Sequence, residues 1–141
     1  MPLKYKKGDI LYVRETWNTT DNCGLFPPWQ STGTHYIYKA DASNSDEAKE
    51  AKWRSPYHMP RDAARIFLRV TNVRCERVRD ITIGDVIAEG CLPSDVMGGQ
   101  TLDYFRPLWD SLNAKRGYGW ENNPWVFAYT FERCEKPEGT T

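Results

Sequence analysis

The sequence predicts an α+β fold dominated by strands: a small, partly closed β-barrel with two short helices inserted before the last strand. Three observations carry the prediction. Four or five short segments alternate apolar and polar residues with the period of a strand, and two others repeat apolar residues at helical spacing. Both helical segments fall between the longest strand and the closing one. A chain of 141 residues suits one domain, expected over residues 1–134 with residues 135–141 as a flexible tail. A domain of that size buries roughly two-thirds of its unfolded surface.

The first element is "GDILYVRETW", expected as one strand over residues 9–17. Its period of two puts Leu11, Val13, Glu15 and Trp17 on one face and Ile10, Tyr12, Arg14 and Thr16 on the other. A carboxylate therefore sits among apolar residues on what should be the core side. "NTTDNCGLFPPWQSTGT" follows, and its Gly, Pro, Asn and Thr content marks a loop. "HYIYKAD" reads as a second strand, with Tyr36 and Tyr38 on one face and Ile37 and Lys39 on the other. The charged run "SDEAKEAK" reads as a solvated turn or short helix. In "WRSPYHMPRDAAR" two prolines forbid a long helix and predict a shaped loop.

The segment Ile66 to Val78 is rich in β-branched residues and predicts a long strand ending at Asp80, with Ile66, Leu68 and Val70 on the core face. In "ITIGDVIAEG", Thr82 is placed to cap a helix with Asp85 three residues on. Ile83, Val86 and Ile87 make its buried stripe, and Gly90 stands where a left-handed residue ends a helix. Leu102, Phe105, Leu108, Trp109 and Leu112 predict a second helix over residues 102–113. Pro107 is tolerable there if Asp103 lies near the N-cap and the ring stays in the first turn. "WVFAYTFERC" alternates Trp125, Phe127, Tyr129 and Phe131 against Val126, Ala128, Thr130 and Glu132, and closes the sheet.

Composition narrows the function. Lys and Arg number 19 and Asp and Glu number 19, a formal charge of zero. No global field draws in a long polyanion, so any nucleic-acid contact must be local. Cys23, Cys75, Cys91 and Cys134 stand apart with no C-x-x-C pair, which predicts reduced thiols rather than a zinc ribbon or redox motif. His35 and His58 lack ligand spacing, so neither a metal nor another cofactor is expected. No apolar run reaches the ~20 residues that span a bilayer, and no signal-like segment opens the chain. A cytoplasmic protein without a membrane partner is the expectation.

In their order, "GDILYVRETW", "YKAD", "KWRSPYHMPRDAARIFLRVTNVRCERV", "ITIGDVIAEG" and "FRPLWDSLNAKRGYGWENNPWVFAYTFER" resemble the phage and prophage branch of the ASCH domains, members of the PUA-like β-barrels. The resemblance runs from Lys7 to Arg133 and is most specific in "VRETW", "MPR" and "LWDSLN…GYGWENNPWV". It implies an RNA- or nucleoside-binding barrel of phage or prophage origin, working in the host cytoplasm. The pattern departs at the start, where family members carry a G-x-K-x-x-T-x-R-like segment. Its lysine and threonine are implicated in amidohydrolase chemistry on acetylated cytidine in one bacterial branch. Nothing like it precedes Gly8, and Lys4, Lys6 and Lys7 have the wrong spacing. Either the reading frame begins late or the domain is a reduced one, and a barrel without its first strand has an open sheet edge that a homodimer would cover.

The candidate site residues follow. Glu15 requires a cationic or backbone partner, for which Arg61 and Arg65 are better placed than Arg14. The pair is either a structural tie at the barrel mouth or part of a ligand contact. Glu89, at the negative end of the short helix, falls where the resemblance places an acidic residue of the amidohydrolase pocket. It is the candidate catalytic residue, against the reading of a solvated helix end. Trp17 is expected on the cleft and Trp109 in the core, with Trp125 open to either assignment. Asn123 can meet a base edge or simply form an Asn-Pro turn. Arg14, Arg54, Arg61, Arg65, Lys115 and Arg116 are candidates for a local phosphate-contacting patch.

Three functions fit these residues. The first is a module holding a base of single-stranded RNA, or a nucleoside, through Arg14, Glu15, Trp17, Arg61, Arg65, Asn123 and Trp125. The second is an amidohydrolase or nuclease acting through Glu89, and the third a phage structural or host-interaction protein with a vestigial cleft.

Overall fold

The computed structural model describes residues 2–24, 35–42, 49–90 and 101–138. Its strands are β1 (Ile10–Tyr12), β2 (Trp17–Thr19), β3 (Tyr36–Tyr38), β4 (Phe67–Arg77) and β5 (Trp125–Cys134), and its α-helices of a full turn or more are α1 (Ile83–Ala88) and α2 (Thr101–Asn113). The α+β class is as expected. The described strands form a three-stranded sheet in the order β1-β4-β5 and a two-stranded sheet of β2 and β3. The chain divides into two compact units, one of Tyr5–Thr71 with Phe131–Thr141, the other of Met1–Lys4 with Asn72–Thr130.

In the first unit the strand expected over residues 9–17 is broken. β1 pairs antiparallel with β4 through Ile10–Arg69, Leu11–Leu68 and Tyr12–Phe67. Backbone bonds from Gly8 to Val70 (2.8 Å) and from Val13 to Ile66 (3.0 Å) extend the ladder at both ends. Beyond Val13 the chain leaves this partner. Trp17 exchanges backbone hydrogen bonds with Arg54, 2.7 and 3.2 Å long, and β2 pairs with β3 in the register Trp17–Tyr38, Asn18–Ile37 and Thr19–Tyr36. The cause of the break is burial: the Trp17 indole packs with Met59, Ala63, Ala64 and Phe67 in a common core. An uninterrupted strand would have carried that ring past β4.

Asn18 and Thr19, expected in a loop, are buried strand residues. The Asn18 side chain donates to the Lys52 carbonyl at 2.6 Å and accepts from the Thr19 backbone N–H at 2.8 Å, so its burial leaves no polar atom unpaired. The core face expected for β4 is also corrected. Val70 is buried as expected, but Ile66 and Leu68 are half-buried, and Phe67, on the opposite face, is as deeply covered as Val70. Both faces of the strand are packed at that end. "WRSPYHMPRDAAR" is the expected shaped loop, with 3-10 turns at Pro56–His58 and Arg61–Ala63. Ser55 caps the first by accepting from the Tyr57 N–H. The first half of the charged run, residues 45–48, lies outside the described residues; Lys49 and Glu50 are helical.

The second unit is built around Val78, Val86, Phe105 and Trp120, with Ile81, Trp109 and Val126 packed against them. α1 begins with the capping box the sequence predicted: Thr82 accepts from the Asp85 N–H while Asp85 accepts from the Thr82 N–H. The helix ends at Glu89, and Gly90 follows at φ 101°, a left-handed conformation that glycine adopts without a Cβ penalty. Of the expected stripe, Val86 is buried while Ile83 and Ile87 are exposed.

α2 starts at Thr101, so Pro107 stands in the second turn rather than the first. There it withholds the N–H that would have bonded the Asp103 carbonyl. Phe105 is buried and Trp109 half-buried, whereas Leu102, Leu108 and Leu112 are exposed. The inward face of α2 is thus narrower than its apolar spacing implied, and it is aromatic. Phe105 meets the Trp120 ring edge-on at 6.2 Å and the Trp109 ring at 6.3 Å. Trp109 Nε1 donates to the Tyr118 carbonyl at 2.8 Å, and Asp110 accepts from the Trp120 N–H at 2.7 Å. These bonds explain the block "LWDSLNAKRGYGW": it folds back on its own helix through Gly117 at φ 84°.

Candidate functional site

The link between β1 and β2 answers the question of the carboxylate at position 15. Glu15 accepts two hydrogen bonds from Arg65, from Nε at 2.9 Å and from Nη2 at 2.8 Å. The partner is therefore Arg65, one of the two arginines favoured by sequence, in the two-pronged geometry a guanidinium offers a carboxylate. The same Arg65 donates to Asp41 from Nη1 at 2.5 Å and Nη2 at 3.2 Å. Its guanidinium carbon lies 3.8 Å from the centre of the Tyr38 ring. Glu15, first, and Asp41 hold the Arg65 pKa above the ordinary guanidinium value. Tyr38 in turn donates its hydroxyl to the Ala63 carbonyl. Burial raises the Tyr38 pKa, with Arg65 opposing and Glu15 reinforcing the shift.

This network is a clamp. It ties the β1–β2 link, the turn after β3 and the approach to β4, and it consumes the charge of Arg65. A guanidinium facing two carboxylates is a poor phosphate ligand, so Arg65 and Glu15 position the loops around them.

Two arginines without a carboxylate partner among the described residues lie at Tyr12. The guanidinium carbons of Arg14 and Arg61 stand 5.9 and 6.0 Å from the centre of its ring. Arg14 also donates to the Tyr57 carbonyl at 3.2 Å. Tyr57 itself is exposed and meets the His58 ring edge-on at 5.2 Å. Neither Arg14 nor Arg61 pairs with a carboxylate among the described residues. Two cations with no carboxylate partner among the described residues, a half-buried phenol and an exposed one are the components of a phosphate and ring contact. Trp17, expected on the cleft, is only 4% exposed. Its Nε1 donates to the Ser55 carbonyl at 3.3 Å, and Arg54 stands 5.4 Å from its ring centre. The residue supports the patch from within the core.

Glu89, Asn123 and Trp125 belong to the other unit. Glu89 is exposed and ends α1; its backbone N–H bonds the Asp85 carbonyl at 2.9 Å. No lysine or hydroxyl is hydrogen-bonded to its side chain among the described residues, and residues 91–100 lie outside them. Asn123 is left-handed at φ 43°. Its side-chain oxygen accepts from the Arg79 N–H at 3.1 Å and its carbonyl from Arg77 Nη1 at 3.0 Å. Trp125 is 59% exposed, and the Arg77 guanidinium carbon lies 4.2 Å from its ring centre.

Of the residues in these two arrangements, Arg14, Arg61 and Trp125 are among the candidates the sequence offered, whereas Tyr12, Asp41, Tyr57 and Arg77 are not. Asp41 stood in the "YKAD" block of the resemblance and was open to recognition there. Arg77 carried no such signal, because the contact between the end of β4 and the start of β5 spans 48 positions of chain. Among the described residues no three His, Cys, Asp or Glu side chains group as a metal site, and no helix is long and apolar enough to cross a membrane. The chain matches no family profile, no curated protein and no solved structure.

Proposed function

We propose that this protein is a nucleic-acid-binding module of the ASCH type, with a PUA-like barrel core, that holds a base of single-stranded RNA or a nucleoside at the Tyr12 patch. The observation that carries the reading is the placement of Arg14 and Arg61 within about 6 Å of one tyrosine ring with no carboxylate partner among the described residues. In a chain of zero net charge, a local site of this kind is the form that RNA recognition must take. Arg14 and Arg61 contact phosphates, Tyr12 and Tyr57 offer rings to the bases, and the Arg65 clamp with buried Trp17 keeps the loops in place. The family resemblance of "VRETW" and "MPR", which contain Arg14 and Arg61, supports the same assignment.

The test is fluorescence anisotropy of a labelled single-stranded RNA over a salt series. Two phosphate contacts give a slope of log K against log salt of about −1.4. Arg14→Ala with Arg61→Ala removes that slope and leaves only weak ring contacts. Wild-type binding unchanged by the double substitution would overturn the assignment, as would the absence of binding at 50 mM salt.

A further inference from the structure

We propose that Trp125, Arg77 and Asn123 form a second, separate site that binds a nucleoside 5′-monophosphate. The site belongs wholly to the unit of Asn72–Thr130 and does not depend on the Tyr12 patch. Large aromatics normally gain more from burial than from any other role, yet Trp125 opens β5 with 59% of its surface exposed. The ring nonetheless has a defined neighbour. Arg77 lies 4.2 Å from its centre, and Arg77 is itself fixed by the bond from Nη1 to the Asn123 carbonyl. Asn123 is fixed by its left-handed backbone and by the Arg79 N–H. The result is an exposed indole with a guanidinium held against it.

The chemistry of the three groups selects the ligand. An indole face stacks on a planar heterocycle, whichever base it is. The Arg77 guanidinium has spent one N–H on a carbonyl and has no carboxylate partner among the described residues. It therefore keeps both its charge and most of its donors for an anion. This is the opposite of Arg65, which faces two carboxylates. The Asn123 amide nitrogen has no acceptor among the described residues, whereas its oxygen is occupied. It is left as a donor for the carbonyl or ring nitrogen of a base edge. A stacked base, an edge acceptor and a phosphate, linked by one ribose, describe a mononucleotide. Arg77 covers one face of the indole, so the base takes the other and the phosphate reaches the guanidinium at the ring edge.

The experiment follows the tryptophan indole N–H signals of the intact chain by NMR. Trp125 is identified by the signal lost in Trp125→Phe. Titration with the four ribonucleoside 5′-monophosphates is expected to move the Trp125 signal saturably, about tenfold more tightly than the matching nucleosides, the difference set by one charge-assisted contact. Arg77→Gln should erase that tenfold preference while nucleoside binding persists, and inorganic phosphate alone should move the signal little. Arg14→Ala with Arg61→Ala should change nothing at Trp125, so loss of RNA binding at Tyr12 and loss of this site are read separately. The proposal is overturned if no mononucleotide moves the Trp125 signal at millimolar concentration. Equal affinity for nucleoside and nucleotide in the wild type would also overturn it, as would abolition of the shift by the Arg14 and Arg61 substitutions.

Discussion

Replacing Arg65 tests the account of the clamp most directly, because its two carboxylates sit in different environments. The Glu15 side chain is 12% exposed and that of Asp41 is 63% exposed, with Arg65 itself at 34%. The mostly buried Glu15 end follows the range for hydrogen bonds to charged groups, about 1.5–3 kcal/mol. Solvent screening leaves the Asp41 end about 0–1 kcal/mol, and stacking on Tyr38 adds about 0.5–1 kcal/mol. Because the three contributions share one side chain, they do not add in full. Arg65→Ala is therefore expected to destabilise by roughly 2–4 kcal/mol, much of it the cost of leaving Glu15 covered and unpaired. Arg65→Lys keeps the charge but loses the fork and the stack, and should cost roughly 1–2 kcal/mol.

Urea denaturation of both variants, with double-substitution cycles against Glu15→Gln and Asp41→Asn, provides the readout. The Arg65–Glu15 coupling should exceed about 1 kcal/mol and survive 1 M salt, while the Arg65–Asp41 coupling stays under about 0.5 kcal/mol and vanishes there. An Arg65→Ala cost below about 0.5 kcal/mol, or an Asp41 coupling larger than that of Glu15, would refute the reasoning.

Other substitutions follow from the same structure. Thr82→Ala removes the acceptor that caps α1 and should cost about 1 kcal/mol by urea denaturation. Hydrogen bonds from Thr82, ahead of the Arg74 charge, lower the Asp85 pKa. Its contribution is thus present above the unfolded carboxylate value and lost as pH falls through the lower folded one; Asp85→Asn should flatten that acid limb. Tyr38 shifts the other way: its raised pKa means the unfolded chain ionises first, so stability falls as pH rises through the unfolded tyrosine value toward the folded one. Tyr38→Phe should remove that alkaline loss and cost about 1 kcal/mol at neutral pH, measured by chemical denaturation at each pH. Along α2, Phe105→Ala should cost about 3–5 kcal/mol and Leu112→Ala under about 0.5 kcal/mol, although both belong to the same apolar spacing. Similar costs at the two positions would show that Leu112 is covered in solution.

Much of the fold was legible because local physics decides it. The capping box at Thr82 and Asp85, the left-handed Gly90, the length of β4 and β5 and the shaped loop between Trp53 and Arg65 each depend on residues close in sequence. The positive charge in "VRETW" and "MPR" was legible too, and so was the need of Glu15 for an arginine. Where periodicity misled, the competing influence was long-range. Leu102, Leu108 and Leu112 have helical spacing, but among the described residues Trp120 and Val78 pack with Phe105 and Trp109 instead.

From the sequence alone came the α+β class, the element types and the pool of arginines and aromatics from which any site must be drawn. Tertiary structure decided which of them are spent. It ends β1 at Tyr12 because Trp17 is buried on another partner, and it neutralises Arg65 between Glu15 and Asp41. It leaves Arg14, Arg61 and Arg77 charged beside tyrosine and tryptophan rings. Sequence records that a residue is cationic or apolar, but charge compensation and burial are properties of neighbours tens of positions away, and those neighbours exist only once the chain has folded.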